Sequence, residues 1–478
     1  MVVAAAASAT AQQPAPRALT TPDGSRFVLL PVPGAPPVVS WLIVTPAGPA
    51  EDPDGLEGLA LAVARASMAG TARVGSRNRA TEEDLLARIE ENERRRTLLR
   101  GAGQQVPEAL INSLRSDASQ ADAVADRLAW ERALRQVPAL PSRLQRTDHT
   151  TLLQLSAPVA GLGRVAALLL ARREEPILRG IHDELRGARA ELLAVATEDP
   201  WTPLRDEIRS LAFGAHAAGR PSITEVEGFR PLSRALALEV FERTQRPERS
   251  LHVLTGGFDA EMVAAVLVQA FARSALSVDP FVPSPAPPAP RARTSRLTGG
   301  AVTGIAVACR VPVDLDPDAV MLAMTWLAGG DESFLSRRLF AHGMRVGQLR
   351  GTYPFGGLRD SALALVEVGA DERDTRDGQR AERLFVEVDA ALAAAAAEPP
   401  LPAELATARG LLAAQRAAQR STPQGLCLYV ALRCARFGMT PEQVLRSLET
   451  VDDAAVFRAL QEMLEPERRV RVTQEKKS

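Results

Sequence analysis

The chain has 478 residues, of which 46% are hydrophobic and 24% are charged, which is enough for two or more domains with their own cores. Its net charge of -1 and its 4% aromatic content argue against a nucleic-acid-binding protein, because neither an electrostatic footprint nor base-stacking surfaces are present. No apolar run approaches the roughly 18 residues that a transmembrane helix requires.

Residues 1–16 are small, apolar or proline-rich, with Ala9-Thr10-Ala11 as a candidate cleavage site. They resemble the end of a secretory signal, although they are short and lack a basic start, so a disordered tail is the alternative. The abundance of arginine, alanine and proline is typical of a GC-rich bacterial genome. We expect a bacterial protein that is exported to the periplasm; a cytoplasmic location stays open.

The first half of the chain is predicted to contain both strands and helices. Alternating apolar runs at 26–30 and 38–44, separated by a Gly-Ala-Pro-Pro turn, predict a pair of antiparallel strands. A helix is predicted at 56–68. A capping signal at Thr81 opens a charged helix to residue 100, and 107–135 reads as a second helix, so that 81–137 forms a helical excursion. A strand at 150–156 and helices at 161–173 and 184–196 follow.

Residues 279–298 are rich in proline, which predicts a stiff linker. The linker divides the chain into an N-terminal domain at 17–278 and a C-terminal domain at 299–470, with a tail at 471–478. The predicted strands and helices of the second domain lie at 304–311, 316–327, from 334, 361–368, 380–397, 402–420 and 423–437. Because strands and helices segregate rather than alternate regularly, we predict an α+β fold in each half.

The segment from Gly58 to Thr71 reads GLALAVARASMAGT. Its spacing and flanks resemble the G-x-A-H-x-x-E-H-M-x-F-x-G-T signature of the pitrilysin-like zinc metallopeptidases. In that signature two histidines on one helix face bind zinc and the glutamate activates water. Leu61, Ala64 and Arg65 stand at those three places, and none of them can ligate a metal. The resemblance therefore implies a degenerate member with no metal and no cofactor.

Other segments support the resemblance, in the family's order and over nearly the whole chain. They lie at 23–29, 199–200, 213–221, 246–259 and 333–340. The resemblance implies two homologous domains, each an antiparallel sheet covered by helices, that close as a clam-shell around a chamber. The five histidines show no spacing of their own that is typical of a metal site.

The resemblance also places the remaining parts of an active centre. Glu191 corresponds to the family's third zinc ligand and Glu184 to a second glutamate seven residues before it. We expect both to be solvated helix carboxylates, with a residual half-site or a repurposed metal site as the alternative. Arg345 corresponds to an arginine that contacts substrate, with a plain surface role as the alternative, and its tyrosine companion is missing. Residues 141–147 take the place of the edge strand that pairs with substrate, without its glycines.

These losses predict a pseudoenzyme, a peptidase homologue that is not an enzyme. Family members pair an active zinc chain with an inactive one, as in mitochondrial processing peptidase. We therefore expect a structural or substrate-holding subunit that forms a heterodimer with an active homologue and binds peptide. The alternative is a scaffold subunit of a larger, membrane-associated assembly without peptide binding, like the core subunits of cytochrome bc complexes. An active peptidase with unconventional ligands is the third reading.

Overall fold

The computed structural model describes residues 15–137, 140–147, 150–221, 223, 230–272, 287–355, 361–371, 380–446 and 448–476. The chain is a mixed α/β protein with two sheets. Within those ranges no helix is both long and apolar enough to span a membrane.

The elements of the first half are, in order, β1 (Arg17–Thr20), β2 (Arg26–Pro31), β3 (Val38–Thr45), α1 (Leu59–Ala66), α2 (Arg79–Gly101), α3 (Glu108–Val124), α4 (Ala129–Arg135), β4 (Leu140–Arg146), β5 (Thr151–Pro158), α5 (Leu162–Glu174), α6 (Ile181–Glu198), α7 (Thr202–Phe213), α8 (Arg234–Thr244), β6 (Leu251–Gly256) and α9 (Ala260–Phe271). Those of the second half are β7 (Arg293–Gly300), β8 (Gly304–Arg310), α10 (Pro317–Ala328), α11 (Phe334–Ala341), β9 (Val346–Phe355), β10 (Leu363–Ala370), α12 (Arg380–Ala397), α13 (Pro402–Gln419), α14 (Pro423–Phe437), α15 (Pro441–Leu445), α16 (Asp453–Met463) and β11 (Arg469–Lys476).

The two sheets have the same topology. The first sheet has the strand order β1-β2-β6-β3-β5-β4 and the second has the order β7-β11-β8-β10-β9. In each sheet one pair is parallel, β2 with β6 and β7 with β11, and the pairs that follow it are antiparallel. Strand for strand, β2-β6-β3-β5-β4 matches β7-β11-β8-β10-β9. The halves are therefore topological copies of one another, with β1 as an additional edge strand.

Each half also contributes a helix to the other half's sheet. Trp201, Leu204 and Ile208 at the start of α7 pack in one buried cluster with residues of β8, β10 and β11. Conversely, Tyr429 and Val430 of α14 pack against β2, β3 and β6 of the first sheet. Because both faces of the central strands are covered, β3 and β6 are nearly continuous buried runs. This exchange couples the two halves through apolar burial.

Local sequence signals explain several helix boundaries. Asp316 caps α10 by accepting the Asp318 N–H at 3.0 Å, and Pro317 occupies the first turn, where its missing N–H costs nothing. Thr422 caps α14 by accepting the Gly425 N–H at 3.0 Å. The predicted helix at 380–397 matches the bounds of α12.

Three predictions made from local pattern are wrong. β2 and β3 are not paired with each other, because β6 lies between them in the sheet. The single helix predicted at 107–135 is broken, since the Asp126 N–H bonds the Gly75 carbonyl at 2.7 Å instead of continuing α3. The tail predicted at 471–478 is wrong as well, because β11 extends to Lys476 in the interior of the second sheet, where Val472 is fully buried.

The predicted linker at 279–298 overlaps β7, which begins at Arg293 and pairs with β11. Its proline-dense part, 279–286, lies outside the described residues, as does most of the N-terminal segment 1–16.

Candidate functional site

The helix that carries the degenerate motif is held firmly at its start. α1 begins after Gly58, whose φ of 88° a residue with a side chain rarely adopts. The carboxylate of Asp52 accepts the Gly58 N–H at 2.8 Å and the Ala60 N–H at 2.7 Å, so that it caps the helix from outside. Burial raises the pKa of Asp52 to about 6, while Arg146 at 4.0 Å and the two N–H groups favour its charged form.

The side chains at two of the three motif positions are buried where α1 packs against its neighbouring helices. Leu61 is 1% exposed and Ala64 is 0% exposed. Leu61 packs in a cluster with Leu185 and Ala188 of α6 and with Val240 of α8. Where the family signature has a zinc ligand and a proton-transferring carboxylate, this chain therefore has two buried apolar side chains.

Arg65 forms an ion pair with Glu191. The Nη2 atom of Arg65 on α1 donates to the Oε2 atom of Glu191 on α6. The Arg65 side chain is 27% exposed and the Glu191 side chain is 52% exposed, so the pair lies at the surface of the cleft. The structure therefore brings together the two motif positions that the sequence placed far apart along the chain. Glu191 is exposed to solvent, and its charge is matched by the guanidinium of Arg65.

Glu184 lies about two turns before Glu191 on the same face of α6 and is half-buried. Burial raises the pKa of Glu184, and the guanidinium groups of Arg65 and Arg127 oppose that shift. Glu184 is thus less exposed to solvent than Glu191. Arg65 acts electrostatically on both candidate carboxylates.

The residues at this centre do not fit a zinc ion. Leu61 and Ala64 supply no donor atoms, and the guanidinium of Arg65 would repel a dication while it holds the carboxylate of Glu191. Over the described ranges no group of three or more histidine, cysteine, aspartate or glutamate side chains is arranged to bind a metal. We derive no step of catalysis through a metal here.

A cavity of about 330 Å³ lies beside this centre, between the two halves. α6 and α7 form one wall and β9 with β10 forms the opposite wall. The polar lining residues are Asp52, Glu57, Arg146, Thr147, Glu191, Asp199, Thr202, Arg205, Arg209, Arg220, Arg350 and Thr352. We call this cavity the interdomain cleft.

A buried ion pair crosses from one half to the other at the cleft. Arg205 of α7 donates from Nε to Oε1 of Glu367 at 2.7 Å and from Nη2 to Oε2 at 3.0 Å. Glu367, on β10, is 0% exposed. Arg205 also pairs with Asp199; burial alone would raise the pKa of Asp199, but the Trp201 N–H and Arg205 outweigh it and lower that pKa. The cleft wall is therefore fixed by a bidentate contact, the stronger geometry for arginine and carboxylate.

The structure separates the two predicted substrate contacts from one another. β4 contains residues 141–146 of the predicted edge strand and lies at the edge of the first sheet, with Arg146 and Thr147 lining the cleft. Arg345 is exposed, directly before β9, and is not among the residues that line the cleft. Arg350, five residues further on, does line it. The local sequence of this segment does not indicate which of its arginines lines the cleft.

Comparisons with known proteins add the following. No family model and no curated protein matches the chain. Among solved structures, a protease from Helicobacter pylori superposes with a TM-score of 0.71 at 14% identity, covering 97% of this chain and 100% of that one. An inactive domain of peptidase M16 from Pseudomonas fluorescens gives 0.68 at 15% identity, covering 97% and 98%. A protein from Alicyclobacillus acidocaldarius described as an M16-like peptidase gives 0.63 at 14% identity, covering 96% and 98%.

These similarities span both halves, so the chain has the two-domain clam-shell fold of M16-like, that is pitrilysin-like, peptidases. At 14 to 15% identity they establish the fold. What this chain does has to be argued from its own site.

Proposed function

We propose that this protein is a non-catalytic homologue of the M16-like peptidases. The observation that carries the proposal is the Arg65–Glu191 ion pair on a helix whose other motif positions are buried and apolar. Hydrolysis by this fold family's signature needs a metal-bound water and a carboxylate that moves its proton. Here the space is filled by Leu61 and Ala64. The existence of a solved inactive M16 domain with the same fold supports this proposal.

We further propose that the chain acts as a structural or substrate-holding subunit beside an active homologue. Two observations support this role. The fold retains both halves, and the interdomain cleft still presents an edge strand, β4, together with Arg350. A protein that retains the walls of the cleft but lacks the groups that catalyse hydrolysis is suited to bind a peptide without cleaving it. An exported, periplasmic location is part of the same proposal.

A scaffold without peptide binding is the second candidate. The charges in the cleft already satisfy one another in part, as Arg205 with Glu367 and Asp199, and Arg220 with Asp54. A peptide would have to compete with these contacts. This is the observation that favours the scaffold.

Native mass spectrometry after gentle affinity purification from the source cell distinguishes the two. The pairing proposal predicts one additional zinc-bearing chain of similar mass in stoichiometric amount. A complex of many different subunits would establish the scaffold in its place. A chain that remains a monomer at its cellular concentration would contradict both.

A further inference from the structure

A second cavity lies in the helical excursion, away from the interdomain cleft. It is a concavity of about 330 Å³ between α2, α3 and the start of α6. Its floor and walls are mainly apolar and include Leu86 and Ile89 of α2, Ile111 and Leu114 of α3, and Ile181 of α6. The cavity shares no lining residue with the interdomain cleft.

The volume of this cavity suits a small molecule. A buried apolar cavity of about 150 Å³ holds one benzene ring, and ligand pockets typically begin at about 300 Å³. A molecule with an apolar body about twice the size of benzene therefore fits. A chain of roughly ten carbons has that size.

The charged rim of the cavity is biased toward anions. Six arginines and five carboxylates line it; they are Arg96, Arg115, Arg127, Arg179, Arg186 and Arg234 against Glu82, Glu90, Glu93, Asp122 and Asp183. Four of the carboxylates are already held by arginines of the same rim. Within the described part of the chain Arg115 makes no hydrogen bond or ion pair. Glu90, the fifth carboxylate of the rim, also has no ion pair in the described ranges, so the rim has an excess of one arginine over its carboxylates. A ligand carboxylate would balance that excess.

The N-terminus of α6 adds to the same bias. Gly180 precedes it with a φ of 66°, and no side chain caps the helix. A φ of 66° favours glycine at this position, because residues with a side chain rarely adopt it. The uncapped N–H groups and Arg127 contribute positive potential, which Asp122, the partner of Arg127, and Asp183 and Glu184 of the first turn offset in part.

We propose that this cavity binds an amphipathic monocarboxylate. The apolar body lies between α2 and α3, and the carboxylate pairs with the arginine rim, principally Arg115. Two sources share this chemistry, a medium-chain fatty acid and the C-terminus of an apolar peptide. The proposal does not depend on the proposed role of the interdomain cleft.

The test is isothermal titration calorimetry on the full-length protein with decanoate, with N-acetyl-leucyl-leucine and with decyltrimethylammonium as a cationic analogue. We expect at least one carboxylate to bind, and the cation to bind at least about tenfold more weakly, a difference of about 1.4 kcal/mol. Binding of decanoate alone assigns the site to fatty acids, and binding of the peptide alone assigns it to chain termini.

Substitutions of residues that line the cavity test whether the ligand binds there. Leu114→Trp should fill it and weaken carboxylate binding by at least about tenfold, and Ile89→Trp is the second filling variant should the first fail to fold. Arg115→Gln should weaken the carboxylate selectively. Arg94→Gln is the matched control, since Arg94 is an exposed arginine of α2 that pairs with Glu91 outside the cavity. The proposal is overturned if neither carboxylate binds, if the cation binds equally well, or if the control weakens binding as much as Arg115→Gln.

Discussion

The ion pair between Arg205 and Glu367 offers the sharpest test of how the two halves are coupled. It joins α7 of the first half to β10 of the second, and its carboxylate is completely buried. Replacing Arg205 by leucine leaves that carboxylate without a cation. Breaking a buried pair from one side typically costs 3–5 kcal/mol, because the remaining charge has lost both water and partner. We therefore expect Arg205→Leu to lower the free energy of unfolding by about 4 kcal/mol.

Glu367→Leu should cost less, about 1–3 kcal/mol, since Arg205 keeps Asp199 and its own side chain is 17% exposed. The double variant should be more stable than the sum of the two losses predicts, giving a coupling energy of about 2 kcal/mol or more. Urea denaturation followed by circular dichroism measures all four proteins. Arg458→Leu is the control: Arg458 pairs with Glu462 at the surface, 60% and 30% exposed, and its replacement should leave the free energy of unfolding nearly unchanged.

Two results would refute this reasoning. The first is a loss below about 1 kcal/mol for Arg205→Leu, which would mean that water reaches Glu367. The second is a wild-type protein that unfolds in two separate transitions, because halves that exchange α7 and α14 should unfold together.

Three further predictions concern other parts of the molecule. The triple variant Leu61→His, Ala64→Glu, Arg65→His should gain zinc affinity by competition against a chromogenic chelator, since it restores two ligands opposite Glu191; if it gains none, the helix face does not present a site. His252 is buried, its Nδ1 accepts the Trp41 Nε1–H at 3.2 Å, and burial lowers its pKa to about 3. In the unfolded chain the pKa of this histidine is about 6.5, so the stability that neutral His252 contributes is fully present above pH 6.5. It is lost as the pH falls toward 3, by up to about 1.4 kcal/mol per pH unit. His252→Gln should therefore flatten the dependence of the free energy of unfolding on pH in this range, and an unchanged dependence would contradict the assignment. Asp318 is 0% exposed and pairs with the side chains of Arg416, Arg433 and Arg446, so Asp318→Ala should cost about 3–5 kcal/mol in urea denaturation, and a loss below 1 kcal/mol would show that these arginines are solvated.

Local signals in the sequence predicted most helices, because caps and apolar periodicity act over a few residues. The strand pairing was not predictable in this way. β6 enters between β2 and β3 from more than 200 residues away, and a turn between two strands carries no information about a third strand. β11 was missed because its sequence, RVRVTQEK, looks polar. It lies inside the sheet because its backbone pairs with β7 on one side and β8 on the other, and Val472 packs against α7.

The part of the candidate site that lies on a single helix was predictable, because the spacing of residues within a motif is a local property of the sequence. The positions of Leu61, Ala64 and Arg65 followed from one helix. The contact of Arg65 with Glu191 joins two helices across 126 residues of sequence, and local spacing could not show that the guanidinium would pair with that carboxylate. The pairing of Arg205 with Glu367, 162 residues apart, had no signal in the sequence at all.

The proposal that this chain is non-catalytic depends on buried Leu61 and Ala64 and on the Arg65–Glu191 pair leaving no place for a metal ion. Metal analysis of the purified chain, combined with a fluorogenic peptide assay with and without a chelator, tests it most directly. The account predicts substoichiometric zinc and no cleavage that the chelator abolishes. Stoichiometric zinc together with chelator-sensitive cleavage by the isolated chain would contradict it.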